Sequence, residues 1–309
     1  MGMNGFGPGT TTEEVLDGVD LTGRTALVTG VTGGLGGETA RALAACGAAV
    51  ILAARDGDAA AGVAARIRAQ VPRADLSFVA LDLADLSAVR GAVERIGSRP
   101  IDLLINNAGV MYTPFARTAD GFELQFGTNH LGHFLLTTAL AANLRSAAHR
   151  SGDPARVVTV SSDAHRAHAV DLADPAFAHR PYDKFVAYAQ SKAANVLMTV
   201  ELQNRSGGDG IRAFAVHPGV CATGLSRHMS RDDFAEMKRM SAGKPGLLSN
   251  LESIPEAAAT SVWAATAPAL GSAGGAYLAD CGIDRAAEHA TDPATATSLW
   301  TLSEQLVAL

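Results

Sequence analysis

From residue 25 onward the chain alternates short apolar runs with helical stretches of about a dozen residues, and this limits the possible folds more than any other feature. Runs at 25–29, 49–54, 76–81, 101–106, 156–161, 211–217 and 275–279 read as strands. Between and after them, 35–46, 57–70, 85–97, 119–149, 184–206, 255–267 and 294–307 read as helices, with room in 119–149 for one or two. Asp56 stands where a helix N-cap is wanted. Thr11 and Glu14 have capping-box spacing ahead of a short helix. Strands that are apolar throughout belong to parallel sheets buried on both faces. The pattern predicts an α/β fold, one doubly wound parallel sheet of about seven strands with helices on both faces. Residues 1–20 read as an N-terminal extension and 21–309 as a single domain. Residues 220–255 read as an inserted substrate loop, with the polar stretch 225–250, which lacks a strand signal, as a lid.

Composition removes several classes. A hydrophobic content of 48% over 309 residues supports a large core and argues against disorder. A formal charge of −6 without a basic stripe predicts no nucleic-acid partner. No apolar run approaches the roughly 20 residues of a membrane span. The Gly-rich start lacks the basic and apolar segments of a secretory signal. The three cysteines, Cys46, Cys221 and Cys281, are odd in number and far apart, which predicts a reduced cytoplasmic setting.

Two local features carry chemistry. The segment Thr29-Gly30-Val31-Thr32-Gly33-Gly34-Leu35-Gly36 lies where the first strand turns into the first helix. Ligands of such sheets gather at the carboxyl ends of the strands. Glycines there let the backbone approach a pyrophosphate, and the helix N-terminus offers free N–H groups. Gly30, Gly34 and Gly36 follow T-G-x-x-x-G-x-G rather than G-x-G-x-x-G spacing. Tight packing alone would also explain glycines at this turn. The second feature is Tyr188 and Lys192, four residues apart and so on one helical face. A phenol has an ordinary pKa of about 10, and a nearby ammonium lowers it. The chain has four lysines (184, 192, 238 and 244) against 21 arginines, so a lysine at 192 is less expected by chance.

The glycine turn, Asn106-Asn107-Ala108-Gly109, Ser161-Ser162, the Tyr188/Lys192 pair and Pro218-Gly219 with Thr223 occur in one order along the chain. In that order they resemble the short-chain dehydrogenase/reductase family from about Leu21 to the end. The phrases Gly37-Glu38-Thr39-Ala40, Asn129-His130-Leu131-Gly132-His133-Phe134 and Ala189-Gln190-Ser191-Lys192-Ala193-Ala194-Asn195 resemble its retinol-dehydrogenase-like branch and bacterial relatives. The resemblance implies a Rossmann-type domain and an oxidoreductase that interconverts a carbonyl and an alcohol. Tyr188 would supply the proton, Lys192 would lower its pKa and hold ribose hydroxyls, and Ser162 would bond the carbonyl oxygen. Asn129 would hold a water linking Lys192 to solvent. Strand alternation and alignment to the family favour Ser162 over Ser161. Tyr182 is a rival phenol, but Val186 stands four residues later, so it lacks a lysine in register.

The same resemblance implies a dinucleotide held by Gly30, Thr32, Gly34, Leu35 and Gly36 around the phosphates. Asp82 and Leu83 would flank the adenine, and Asn107, Ala108 and Gly109 would pass close to the ribose. Pro218, Gly219, Val220 and Thr223 would meet the nicotinamide end. The family grips the NAD 2′-hydroxyl with an acidic residue ending the second strand; here that position is Ala54, followed by Arg55. A guanidinium pairs with a 2′-phosphate, so NADP(H) is preferred, with NAD(H) possible if Arg55 only packs over the adenine.

Ser162 and Tyr188 are 26 residues apart, longer than in many members but similar to the retinol-dehydrogenase-like branch. Residues 164–182 are expected to lie over the substrate. Apolar residues around Val110-Met111-Tyr112, Phe115 and the Met-containing 225–250 segment predict a hydrophobic small-molecule substrate. His130, His133, His165, His168 and His179 fall at no strong ligand spacing with Cys or carboxylates, and no metal is expected. The resemblance implies a homodimer or homotetramer through 119–149 and 184–206. Two other readings remain open: a cofactor-binding regulatory protein without turnover, and a tailoring ketoreductase of a biosynthetic pathway.

Overall fold

The computed structural model describes residues 5–240 and 251–308. A capping box between Thr11 and Glu14 opens α1 (Thr12–Val15). The chain then runs β1 (Thr25–Thr29), α2 (Gly34–Ala45), β2 (Ala49–Ala54), α3 (Gly57–Gln70), β3 (Leu76–Ala80), α4 (Leu86–Ile96) and β4 (Leu103–Asn106). Asp56 caps α3 by accepting from the Asp58 and Ala59 N–H groups. The helical region between β4 and the next strand is broken into α5 (Leu124–Phe126), a π turn (Gly127–Leu131), α6 (Gly132–Ala139) and α7 (Ala141–Ser151). The second half holds β5 (Ala155–Val160), α8 (Lys184–Ser206), β6 (Ile211–Val216), α9 (Arg231–Met240) and α10 (Ile254–Thr266). It closes with β7 (Tyr277–Ala279), β8 (Gly282–Asp284) and α11 (Pro293–Val307).

The strands form one sheet in the order β3-β2-β1-β4-β5-β6-β7-β8. All neighbours are parallel except β7 and β8. The sheet has eight strands rather than about seven. The addition, β8, is three residues long and returns through Asp280 and Cys281, both at positive φ. Its one large apolar residue, Ile283, is 61% exposed, so no periodic signal marks it.

Alternation along each strand divides the interior into two cores. On β1, Leu27 faces one core while Ala26 and Val28 face the other. Leu43, Val63, Ile67, Val262 and Trp263 pack one face through α2, α3 and α10. Leu136, Leu144, Leu197, Leu299 and Trp300 pack the other through α6, α7, α8 and α11. Val15 and Leu16 are buried in the first core, so the N-terminal segment sits on the domain. Within the expected lid, Gly224–His228 is a 3₁₀ turn followed by α9, which is tied to α8 by a Lys184–Asp233 ion pair. Residues 241–250 of that lid lie outside the described residues. No helix among the described residues is long and apolar enough to cross a membrane.

The edge of the sheet away from the strand carboxyl ends is pinned by Asp102. Its buried carboxylate accepts from the Thr25 N–H at 2.8 Å, Arg24 at 3.1 Å and Arg150 at 2.6 Å. Asp102→Ala leaves a backbone donor and two guanidinium groups without this acceptor. It is expected to destabilise the fold by about 1–3 kcal/mol, read as a lower urea midpoint at unchanged slope; an unchanged midpoint would refute the pinning.

Candidate active site

The residues expected to bind a dinucleotide follow the carboxyl ends of the parallel strands β1, β2, β3, β4 and β6 or, for Tyr188 and Lys192, lie on the helix after β5, and so gather along one edge of the sheet. Gly30 follows β1 at φ 71°, a left-handed conformation glycine adopts freely. A Cβ on Gly30 would come 2.7 Å from Ala108 Cα, and one on Gly36 would come 2.5 Å from Asn107 Nδ2 and the Gly30 carbonyl. These two glycines therefore let the loops after β1 and β4 touch. Gly33 is the N-cap of α2 and uses no side chain to satisfy the helix start, leaving N–H groups of Gly34, Leu35 and Gly36 for a ligand. A cavity of about 310 Å³ opens beside the turn, between Thr32, Gly34, Arg66 and Ile254.

Past the neighbouring strands, Ala54 is buried and Arg55 exposed. Asp82 accepts from the Ala84 N–H at 2.9 Å, a local loop bond that leaves its second carboxylate oxygen available. Leu83 is buried against the start of α6, where a Cβ on Gly132 would strike its carbonyl at 2.4 Å. Pro218, Gly219 and Val220 are half-buried after β6, and the Val220 carbonyl accepts from the Glu252 N–H. Thr223 caps the following 3₁₀ turn through its hydroxyl, and its methyl lies over Gly34.

The residues expected to carry the reaction converge above β4 and β5. Tyr188 and Lys192 leave one face of α8, each 4% exposed. Lys192 Nζ donates to the Val160 carbonyl at 2.9 Å, and Ser161 Oγ donates to the Lys192 carbonyl at 2.8 Å. Ser161 is thus turned into the core, while half-buried Ser162, which accepts from the Ala164 N–H at 3.2 Å, lies beside the Tyr188 phenol. Asn129 lies in the π turn, a geometry frequent at functional sites. Its side chain exchanges two bonds with the Val110 backbone and donates to Ser191 Oγ at 2.9 Å. Ser191 in turn donates to the Tyr188 carbonyl. A Cβ on Gly109 would lie 3.2 Å from Asn129 Oδ1 and 3.7 Å from Lys192 Nζ, so this glycine leaves open a space that both groups border. Tyr182 is spent elsewhere: its hydroxyl donates to the Thr113 carbonyl and accepts from Gln125.

Burial decides the electrostatics. The Tyr188 phenol is pushed well above its ordinary value by burial and by Tyr112, against a smaller lowering by the Ser162 hydroxyl. Lys192 is lowered to about 8 by burial. The expectation that the ammonium lowers the phenol is therefore not met by the protein alone. Nζ lies 5.6 Å from the phenol ring centroid and bonds a carbonyl, while both groups have lost their water.

Four residues have places at the site that sequence reasoning did not assign to them. Tyr112 packs edge-on to Tyr188 with centroids 5.1 Å apart and stacks near Phe185 at 4.5 Å. Ser191 orients Asn129. Thr29 accepts from the Asn107 and Ala108 N–H groups, and His133 bonds both Thr29 and the Asn129 carbonyl. Only their places at a strand end or one turn from a site residue could have marked them. Among the other histidines, His165 is buried between the Ser162 carbonyl and the Ala287 N–H, His130 bonds Ser303, and His179 is exposed. No group of three potential metal ligands occurs among the described residues.

Comparison with known proteins agrees with this geometry. A family model described as short chain dehydrogenase matches residues 24–233. Human retinol dehydrogenase 12 is 38% identical over 293 residues, covering 94% of this chain and 88% of its own. A crystal structure of an uncharacterized protein from Mycobacterium paratuberculosis superposes with a TM-score of 0.75 at 35% identity, covering 97% of this chain and 98% of its own. The Pseudomonas aeruginosa RhlG/NADP active-site complex superposes with a TM-score of 0.66 at 26% identity, covering 84% and 95%. The chain belongs to the short-chain dehydrogenase/reductase family, in its retinol-dehydrogenase-like branch, and is an oxidoreductase of that family.

Proposed function

We propose that this enzyme interconverts a carbonyl and a secondary or primary alcohol on a hydrophobic small molecule, with NADP(H) preferred and NAD(H) possible. The observation that carries the proposal is the burial of Tyr188 and Lys192 on one face of α8, with Ser162 near the phenol and with Asn129 and Lys192 both bordering the space at Gly109.

The edge of the sheet fits a dinucleotide. Side chains on Gly30 or Gly36 would clash with backbone at the turn, and the start of α2 offers its free N–H groups to phosphate. Gly30, Thr32, Gly34, Leu35 and Gly36 would hold the phosphates, and Arg55 the 2′-phosphate. Asp82 and Leu83 would hold the adenine, and Asn107, Ala108, Gly109 and Lys192 the ribose. Pro218, Gly219, Val220 and Thr223 would hold the carboxamide end. The bound nicotinamide supplies the hydride and, when oxidised, a positive charge. The chain's own part is the proton. Hydride arrival leaves negative charge on oxygen, which needs a donor aimed at it and a proton source. Ser162 donates to that oxygen and Tyr188 O–H transfers its proton. The raised phenol keeps the proton in place until charge develops, which suits reduction. Lys192, charged at neutral pH, stabilises the phenolate left behind.

Tyr112, Phe115 and Phe185 supply an apolar approach, with Phe115 47% exposed and tilted against Tyr182 at 5.1 Å between ring centroids. This supports a hydrophobic substrate. A cytoplasmic location is supported by three free cysteines. A homodimer or homotetramer is supported by the family alone.

Oxidation of NADPH across a panel of ketones, aldehydes and quinones tests the reaction, and NADH in parallel tests the cofactor. Arg55→Ala is expected to lower the NADPH to NADH ratio of kcat/KM by about tenfold or more, the worth of a charge-assisted bond; an unchanged ratio removes the guanidinium from cofactor choice. Ser162→Ala should lower kcat by about 10²-fold, as loss of an oxyanion donor does, with Ser161→Ala within about threefold. Equal losses would overturn the assignment of Ser162. Lys192 acts as a cation and is lowered to about 8. Its contribution is present below that pH and lost above it. The kcat/KM for reduction should therefore be level below pH 8 and fall by about tenfold per unit above. A level profile to pH 10 would refute the charged role.

A further inference from the structure

His133 stands four residues, one helical turn, after Asn129 and is wholly buried. Its Nδ1 is 3.0 Å from the Asn129 carbonyl and its Nε2 is 3.0 Å from Thr29 Oγ1. A carbonyl only accepts, so Nδ1 carries a proton. Burial, assisted by Lys192, lowers the ring to about 4, so it is neutral and holds only that proton. Nε2 is then an acceptor, and the Thr29 hydroxyl donates to it at 3.0 Å in preference to the more distant Ile105 carbonyl at 3.3 Å. Both lone pairs of Thr29 Oγ1 are used in turn, by the Asn107 N–H at 2.9 Å and the Ala108 N–H at 3.0 Å. Every proton in this chain has one assigned direction. It runs from the loop after β4, through the last residue of β1, across the imidazole and into the Asn129 turn.

These links span elements that local structure does not join. Thr29 and His133 are 104 residues apart, and no backbone ladder holds α6 to the carboxyl end of β1. Asn107 donates a second bond, from Nδ2 to the Thr29 carbonyl at 2.8 Å, which makes the Thr29–Asn107 contact a clamp beside Gly30 and Gly36. At the other end, Asn129 is fixed by Val110 and Ser191, and Ser191 bonds the Tyr188 carbonyl. Asn129 already holds Val110 of the loop after β4; among the described residues the imidazole is the side chain that bonds both Thr29 of the clamp and the backbone of the Asn129 turn.

We propose that His133 is a positioning residue that sets the nucleotide-facing loops after β1 and β4 and the Asn129 turn together, through one directed hydrogen-bond chain. The proposal rests on the carbonyl-reductase reading of this site. It assigns His133 no contact with reacting atoms and no proton transfer.

Two conservative variants divide the chain at its two ends. In His133→Asn the amide stands near the place of Nδ1, keeping the bond to Asn129 and losing the acceptor for Thr29. In His133→Gln the amide oxygen stands near Nε2, keeping Thr29 and losing Asn129. His133→Asn is expected to weaken NADPH binding by about fivefold with kcat within about threefold, since the clamp loses one neutral bond. His133→Gln is expected to keep NADPH affinity within about twofold and to lose about tenfold in kcat, on the best carbonyl of the panel. Equal effects of the two variants on both quantities would overturn the proposal. The ¹⁵N shifts of His133 in the wild-type protein give a readout that does not depend on any variant folding. A neutral Nδ1–H ring at pH 7 supports the chain; an Nε2–H ring or an imidazolium overturns it. A wild type that neither binds NADPH nor reduces any carbonyl sinks the reductase reading itself. The His133 proposal fails separately, in the variants and the tautomer, with wild-type turnover intact.

Discussion

The placement of the site depends on how α8 is fastened to the end of β5. The Val160 carbonyl, at the last residue of the strand, accepts from Lys192 Nζ at 2.9 Å and from Asn195 Nδ2 at 3.1 Å. Ser161, the next residue, returns a bond to the Lys192 carbonyl. A buried ammonium needs such partners, and here they also set the register of the helix. With Lys192 held at the strand end, Tyr188 falls one turn earlier and meets Ser162, the first residue free of the core. A slip of one residue would rotate the phenol about 100° around α8 and away from Ser162.

The electrostatics follow from the same burial. Removing water raises the Tyr188 phenol and lowers Lys192, so both groups lean towards their neutral forms. A firmly held phenolic proton suits a donor that acts when an alkoxide forms, and is less suited to a standing base. The lysine remains mostly charged at neutral pH because its value of about 8 lies above 7. The neighbouring His133, lowered to about 4, stays neutral and adds no competing charge. Neutral imidazole beside a cationic lysine avoids the like-charge cost that an imidazolium would impose.

Much of the architecture was legible because it is periodic or local. Apolar runs marked the strands, Asp56 and the Thr11–Glu14 box marked helix starts, and Gly30 and Gly36 marked a close backbone approach. The four-residue spacing alone puts Tyr188 and Lys192 on one helical face. What escaped was non-local or aperiodic. β8 has a single large apolar residue, and that one is exposed. The break of the 119–149 region at the π turn depends on packing of Asn129 against Val110 and Ser191, which no window of sequence contains. Thr29 and His133 look like a strand end and a core histidine until the fold places them 3.0 Å apart. The direction of the Tyr188 shift depends on how deeply two side chains are buried, and spacing carries no information on depth.

The most direct test of a tyrosine proton donor is carbonyl turnover by Tyr188→Phe, with NADPH affinity measured on the same preparation. The ring is kept, so packing against Tyr112 and Phe185 survives and only the hydroxyl is lost. Expected is a fall in kcat of about 10²–10⁴-fold, the usual worth of a positioned general acid, with nucleotide affinity held within about twofold. A variant that turns over within about threefold of the wild type would contradict proton transfer from Tyr188 and the mechanism built on it.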